Sequence, residues 1–269
     1  QVPVGHVEAG LRTYDKYSPY PEEMNRKLVT AIADLYFCPT ENNRENLRRE
    51  GITENVFVTG NTVIDALRTT VRENFVFATE ALNRLPYESK KVVLVTCHRR
   101  ENYGQPMEDI MSALAHIART HEDVVLVYPV HLSPVVQECA RRHLGDIPNV
   151  LLTAPLSADE MHNLMARCYL VLTDSGGLQE EAPALGKPVL VLRRETERPE
   201  AVKAGTVKLA GVARDGIVSM ARQLITDPAA YAAMAHAVNP YGDGSACRRI
   251  ADAILWRFGM GARPEDFQA

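Results

Sequence analysis

Short, uniformly apolar runs alternate with helical patterns along nearly the whole chain, and this alternation constrains the fold most. The runs that we predict as strands are residues 2–7, 35–38, 56–59, 92–96, 124–128, 150–153, 169–173, 189–192 and 206–209. Most of them lack alternation of apolar and polar residues, which indicates burial on both faces, as in a parallel sheet. The helical patterns between them are residues 22–33, 41–50, 107–119, 134–143, 158–167 and 178–185. This order predicts an α/β fold with right-handed crossovers.

The chain also divides along its length. A helical pattern over residues 62–85, broken by Pro86, separates a short first α/β portion from a longer second portion. We therefore predict a first domain over residues 1–62, a second doubly wound domain over residues 63–237, and a turn with a final helix over residues 238–269. Because the chain starts at Gln1 inside an expected strand, we expect the first domain to be incomplete.

Composition excludes several classes of protein. The net charge of −4 over 269 residues gives no reason to expect nucleic acid or an anionic membrane as a partner. No apolar stretch approaches the roughly 20 residues that a membrane-spanning helix needs. The five cysteines are scattered without a CxxC pair, which favours neither a disulfide framework nor a metal site and is typical of a reducing cytoplasm.

A glycine turn follows the expected strand 169–173. Ser175, Gly176 and Gly177 lead directly into a helical pattern, so unpaired backbone N–H groups and the positive end of a helix dipole would meet there. That arrangement suits a phosphate, and Glu181, one turn into the helix, can accept hydrogen bonds from sugar hydroxyls. The alternative is an ordinary turn. We predict a nucleotide or nucleotide-sugar site.

Charged and polar residues follow other expected strands as well. The carboxyl ends of parallel strands share one edge of a sheet, where ligands of open α/β folds bind. The alternatives are solvated loops and, for Glu22 and Arg26, four apart on one helix face, a surface ion pair. The residues expected at strand ends are Glu8, His98, His131, Ser175, Gly176, Gly177, Glu181 and Arg198.

Nine segments in order resemble the non-hydrolysing UDP-N-acetylglucosamine 2-epimerases and cover nearly the whole chain. They are HVEAGLRT (6–13), SPYPEEMNR (18–26), TGNTVIDAL (59–67), HRREN (98–102), YPVHLSP (128–134), LTDSGGLQEEAP (172–183), GKPVLVLR (186–193), ERPEAV (197–202) and NPYGDG (239–244). The resemblance implies two Rossmann-like domains in a GT-B-like fold, with the turn and helix of residues 238–269 packing back toward the first domain. It implies interconversion of UDP-N-acetylglucosamine and UDP-N-acetylmannosamine by anti elimination and re-addition of UDP. No metal or redox cofactor is expected, and a homodimer is expected.

The resemblance also implies roles for individual residues. Those matching catalytic positions are Glu8 and Glu22 for acid/base work, Arg26 beside them, and His98 at the UDP phosphates. Those matching substrate-binding positions are Leu156 and Met161 near uracil, Ser175, Gly176 and Gly177 at the diphosphate, Glu181 at the ribose, and Arg198. Those matching a second, regulatory UDP-N-acetylglucosamine site of some bacterial members are Glu23, Arg99 and His131.

The chain departs from the family pattern in two places. Met161 stands where an aromatic residue is common, so an apolar, polarizable contact replaces stacking on the base. The family's opening basic loop and a later acid/base aspartate have no counterpart here, and their absence would abolish or severely reduce catalysis. The other functions that we keep open are a GT-B glycosyltransferase, a hydrolysing epimerase and a non-catalytic nucleotide-sugar binding protein.

Overall fold

The computed structural model describes residues 2–17, 20–196 and 198–269 and forms two compact units. Unit 1 comprises Gln1–Thr69 and Asn239–Ala269, and unit 2 comprises Thr70–Val238. The boundary predicted after residue 62 differs from this division. It falls at the start of the helix Thr62–Thr70, and unit 1 includes that helix as far as Thr69. Ser18, Pro19 and Glu197, which belong to two of the nine segments, lie outside the described residues.

The described residues form the following strands and helices. The strands are β1 Gly5–Val7, β2 Leu35–Cys38, β3 Val56–Val58, β4 Lys91–Thr96, β5 Val124–Pro129, β6 Val150–Thr153, β7 Leu170–Thr173, β8 Val189–Val191 and β9 Val207–Leu209. The α-helices are α1 Glu22–Ile32, α2 Glu41–Arg49, α3 Thr62–Thr70, α4 Glu80–Asn83, α5 Gln105–Thr120, α6 Pro134–Leu144, α7 Ala158–Arg167, α8 Leu178–Ala184, α9 Pro199–Ala204, α10 Arg214–Thr226, α11 Pro228–Ala235 and α12 Ala246–Arg257. A short 3-10 helix spans Arg100–Asn102.

Unit 1 is built on a three-stranded parallel sheet in the order β1-β2-β3. Successive side chains of β2 point to opposite faces, so Tyr36 and Cys38 pack with Leu47 of α2 on one side. Phe37 packs on the other side with Phe57 and with Ala253 of α12. Burial on both faces explains why these strands are uniformly apolar.

Unit 2 contains a six-stranded parallel sheet in the order β6-β5-β4-β7-β8-β9. The chain runs outward from β4 to β6, returns to the far side of β4, and continues outward from β7 to β9. The order therefore reverses between β4 and β7, where Thr96 pairs with Thr173 at the carboxyl end of both strands. Ligands of doubly wound sheets bind outside such a reversal.

The helices differ from the sequence-based prediction in two ways. The helical pattern over residues 62–85 is not one helix, because side chains of α7 bind the backbone that follows α3. Asn163 accepts from the N–H of Arg72 at 2.9 Å and donates to the carbonyl of Thr70 at 2.8 Å, and Glu160 accepts from the N–H of Thr79 at 2.7 Å. Helices α9, α10 and α11 were not predicted from the sequence.

Among the described residues, no helix is both long and apolar enough to cross a membrane.

Candidate functional site

The loop after β4 and the end of β7 are joined by the carboxylate of Asp174, which is completely buried. Its Oδ2 accepts hydrogen bonds from the backbone N–H groups of His98 and Arg99, at 2.7 and 2.8 Å, and from the side-chain amide of Asn102 at 3.1 Å. Asp174 therefore fixes the loop that carries His98 at the reversal of strand order.

The same carboxylate orients the His98 imidazole. Oδ1 of Asp174 lies 3.4 Å from Nδ1 of His98, and within the described part of the chain this buried oxygen has no hydrogen-bond partner. A proton on Nδ1 of His98 therefore points at a carboxylate, and Nε2 becomes the nitrogen that can meet a ligand. The His98 ring also stacks on the His131 ring, with centroids 5.3 Å apart and planes inclined by 13°.

His131 is held by its own turn. Its Nδ1 accepts the backbone N–H of Ser133 at 3.1 Å, so the neutral ring carries its proton on Nε2. The structure thus brings together two of the predicted histidines, from the loops after β4 and β5. Arg99, the third residue predicted nearby, begins the 3-10 helix as its N-cap.

The predicted glycine turn forms the start of α8. The N–H of Ser175 donates to Oγ1 of Thr173 at 2.8 Å, whereas the N–H groups of Gly176, Gly177 and Leu178 have no hydrogen-bond partner among the described residues. These unpaired donors lie at the positive end of the helix, which is an environment suited to an anion.

Arg198 lies directly against this turn. A Cβ added to Gly176 would be 2.5 Å from Nη1 of Arg198, so the close approach requires glycine. Nε of Arg198 donates to Oε1 of Glu180, and both side chains are buried. The backbone N–H of Arg198 donates to Thr196 at 3.1 Å. A fixed cation therefore accompanies the unpaired amides, as a diphosphate site requires.

Glu181 is also held close to the turn. A Cβ added to Gly177 would be 3.0 Å from its Oε1. Its Oε2 lies 3.5 Å from Nε2 of His162, and Nδ1 of His162 lies 2.8 Å from the hydroxyl of Thr70. His162 is buried and was not predicted as a site residue. Buried polar residues also flank it in α7, so the sequence does not mark this histidine, and only its distance to Glu181 identifies it.

The two residues predicted near uracil lie on or before the helix that carries His162. Met161 immediately precedes His162 in α7 and is half-buried. Leu156, also half-buried, lies in the loop between β6 and α7. The described contacts include none between either residue and the glycine turn.

In unit 1, Glu8 follows β1 with an unusual backbone. Its φ of 60° lies in the left-handed region, which is uncommon for residues other than glycine. The side chain is exposed, and Oε1 accepts a hydrogen bond from the Asn61 amide at 3.1 Å. Strained, exposed polar residues at strand ends are typical of functional sites.

The neighbouring carboxylates of α1 differ sharply in environment. Glu22 is exposed, whereas Glu23 is completely buried and accepts the backbone N–H groups of Thr13 and Tyr14 at 3.2 and 3.1 Å. Nη1 of Arg26 lies 3.8 Å from Oε2 of Glu23. Arg26 therefore pairs with Glu23 and not with Glu22, the surface partner that the spacing allowed. Glu23 therefore fixes the loop after β1, and Nη1 of Arg26 is buried without a hydrogen bond to any described residue.

A buried cation that the sequence analysis did not single out supports this region. Arg12 binds Glu50 through two hydrogen bonds of 2.7 and 2.8 Å and binds the Thr30 hydroxyl at 3.0 Å. The bond to Arg12 lowers the pKa of Glu50. Burial, followed by the charges of Arg12 and Arg26, lowers the pKa of His6. His6 is a buried residue of β1 itself.

Comparisons with known proteins agree on one family. The family model described as UDP-N-acetylglucosamine 2-epimerase matches residues 1–255. The UDP-N-acetylglucosamine 2-epimerase of Bacillus subtilis is 54% identical over 260 residues, covering 96% of this chain and 67% of the relative.

Two solved structures are similar to this chain over nearly its whole length. The S. aureus MnaA–UDP structure has a TM-score of 0.94 at 48% identity, covering all of this chain and 73% of the other. The Neisseria meningitidis UDP-GlcNAc 2-epimerase, solved bound to UDP-GlcNAc, has a TM-score of 0.88 at 44% identity and covers 95% of this chain and 70% of the other. The α/β, GT-B-like fold predicted from sequence is confirmed, and the chain belongs to the UDP-N-acetylglucosamine 2-epimerase family.

Proposed function

We propose that this chain is an isomerase that interconverts UDP-N-acetylglucosamine and UDP-N-acetylmannosamine by eliminating UDP and adding it back at carbon 1. The observation that carries the proposal is the joining of His98, Asp174 and the glycine turn at the reversal of strand order in unit 2. A site there presents cationic and N–H donors together, which is the chemistry that a departing diphosphate needs.

We assign the grip on UDP to unit 2. The amides of Gly176 and Gly177 and the guanidinium of Arg198 face the diphosphate, and Glu181 accepts from the ribose hydroxyls. Because negative charge grows on UDP as the bond to the sugar breaks, donors that are already fixed stabilise the transition state more than the ground state. His98 presents Nε2 to a phosphate oxygen, and Oδ1 of Asp174, 3.4 Å from Nδ1, orients the ring.

We assign the proton transfers at carbon 2 to Glu8 and Glu22 of unit 1. Inversion requires that a proton leave one face of the sugar and return to the other, so two groups are needed. The exposure of both carboxylates and the strained backbone at Glu8 support these roles. Arg26, with a buried nitrogen that has no hydrogen-bond partner among the described residues, supplies positive charge near them.

The remaining assignments follow the family resemblance. Leu156 and Met161 contribute apolar contacts to the uracil. A second, regulatory nucleotide-sugar site would use Arg99 and His131, with Glu23 holding the loop of Thr13 and Tyr14 in place. The stacking of His131 on His98 supports a link between such a site and catalysis.

We also propose a homodimer in the cytoplasm. Five free cysteines, four of them buried, suit a reducing compartment. Exposed Leu28 and Ile32 on α1 leave apolar surface that a second copy can cover. Light scattering on the purified chain measures the mass directly, and a monomer at micromolar concentration would contradict the dimer.

The test is to incubate the chain with UDP-N-acetylglucosamine in D₂O and follow the sugar by NMR. We expect UDP-N-acetylmannosamine to form and deuterium to enter carbon 2 of both sugars. His98→Asn is the matched variant, because it keeps size and polarity while removing the titratable ring.

The other functions give different products in the same tube. Free N-acetylmannosamine with UDP would indicate a hydrolysing enzyme. Transfer of the sugar to an acceptor without deuterium at carbon 2 would indicate a glycosyltransferase. Binding of UDP by calorimetry without any conversion would indicate a nucleotide-sugar binding protein and would overturn the proposal.

A further inference from the structure

Three side chains that bind metals lie together on α5 and α6, away from the candidate nucleotide site. Cys139 and His143 are one helical turn apart and share one face of α6. Glu108, in the first turn of α5, faces them. One ligand atom from each side chain lies within 4.8 Å of the others.

One of the two ligand distances already fits a tetrahedral ion. Oε1 of Glu108 lies 3.6 Å from Sγ of Cys139, and Oε2 lies 2.7 Å from Nε2 of His143. With zinc–ligand distances of about 2.0–2.3 Å, neighbouring ligand atoms of a tetrahedron are about 3.3–3.8 Å apart. The distance from Glu108 to Cys139 already agrees. A movement of the Glu108 carboxylate by less than about 1 Å lengthens the distance to His143 to the same range.

We propose that Glu108, Cys139 and His143 bind one zinc ion, with water as the fourth ligand. A thiolate with an imidazole selects zinc over magnesium or calcium, which prefer oxygen ligands throughout. The thiolate and the carboxylate together balance the two positive charges of the ion. On binding, the Cys139 thiol releases its proton to solvent, and His143 binds as a neutral ring with its proton on Nδ1.

Arg142 occupies the same carboxylate when zinc is absent. It forms an ion pair with Glu108, and its side chain is 58% exposed. Because the guanidinium moves into water at little cost, the ion pair competes with zinc without preventing its binding. Removal of the Arg142 charge should therefore tighten zinc binding, a result that is not expected if Arg142 and Glu108 form only a surface ion pair.

The position of the cluster suggests its effect. The first turn of α5 follows the loop of His98, and α6 follows the turn of His131. A zinc ion that joins the two helices therefore stabilises the part of unit 2 that holds both histidines. The hydrogen bond of 3.1 Å between Tyr103 and Ser133 already links the same two segments.

The experiment uses the full chain, first treated with a chelator and then titrated with Zn²⁺ by calorimetry. We expect one ion per chain and, with Co²⁺, the absorption band of a thiolate–cobalt bond. Cys139→Ser and His143→Ala should each weaken binding at least about tenfold, since even the loss of outer partners of a metal site costs that much. Cys247→Ser, which removes the exposed cysteine, should change nothing.

Arg142→Gln provides the second, independent measurement. It leaves all three ligands in place and alters an exposed side chain, so folding is preserved. We expect tighter zinc binding because the competing cation is gone. The proposal would be overturned if the chain did not bind one zinc ion. It would also be overturned if none of Cys139→Ser, His143→Ala and Arg142→Gln changed zinc binding. If Cys139→Ser fails to fold, unchanged or weaker binding by Arg142→Gln decides against it.

Discussion

Gly176 is the position in the candidate diphosphate site where one added methyl group should be least tolerated. In Gly176→Ala the new Cβ would lie 2.5 Å from Nη1 and 2.8 Å from Cζ of Arg198. Non-bonded heavy atoms prefer about 3.5 Å or more, so one side must move by roughly 1 Å. Arg198 cannot yield easily, because its Nε is bonded to buried Glu180.

The size of the effect follows from what must give way. Breaking a buried ion pair costs about 3–5 kcal/mol, whereas overpacking that shifts backbone costs about 1–3 kcal/mol. The turn should therefore move, and the free energy of unfolding should fall by about 1–3 kcal/mol. Loss of one hydrogen bond to the charged diphosphate adds about 1.5–3 kcal/mol, which weakens UDP binding roughly 10- to 150-fold.

The assay combines urea unfolding with calorimetric titration of UDP. Gly261→Ala is the control, because its Cβ would make only an ordinary contact of 3.8 Å. A double-mutant cycle with Arg198→Ala isolates the clash. Once the guanidinium is removed, Gly176→Ala should cost almost nothing in unfolding free energy.

Two results would refute this reasoning. The first is a Gly176→Ala variant that unfolds and binds UDP like the Gly261→Ala control. The second is an unchanged cost of Gly176→Ala in the Arg198→Ala background, which would show that the guanidinium is not the obstacle.

Three further predictions concern single side chains. Glu181→Ala should weaken UDP binding by about 1.5–3 kcal/mol in calorimetry, and an unchanged affinity would remove Glu181 from the site. His98→Asn should lower kcat far more than UDP affinity, whereas equal losses of both would exclude a transition-state role. The bond to Arg249 lowers the pKa of Asp243 from 3.8 to about 2. Stability from this pair is therefore present above pH 3.8 and lost as the pH falls towards 2, and Asp243→Asn should flatten that part of the unfolding profile.

The strands were predictable because they are short and buried on both faces. The run Leu35–Cys38, for example, needs no partner to be recognised as a parallel strand. The helices were less predictable where tertiary contacts override local preference. The helical pattern expected over residues 62–85 stops at Thr70, where Asn163 takes backbone groups that would have continued the helix.

The site divides in the same way. His98 and the glycine turn were found from the rule that the carboxyl ends of parallel strands share an edge. Asp174 and His162 were missed, because their significance lies in distances to groups far away in the chain. Asp174 acts through backbone N–H groups of His98 and Arg99, which carry no signal in the sequence.

The link between His98 and Asp174 joins positions 76 apart in the chain. As the chain leaves the ribosome, β4 and the loop after it emerge well before β7, and contacts between distant positions form late in folding. The His98 loop therefore waits for its carboxylate until most of unit 2 has been synthesised. Competence to hold a nucleotide should arise in a single late step, and a stalled nascent chain that stops before residue 174 should have none.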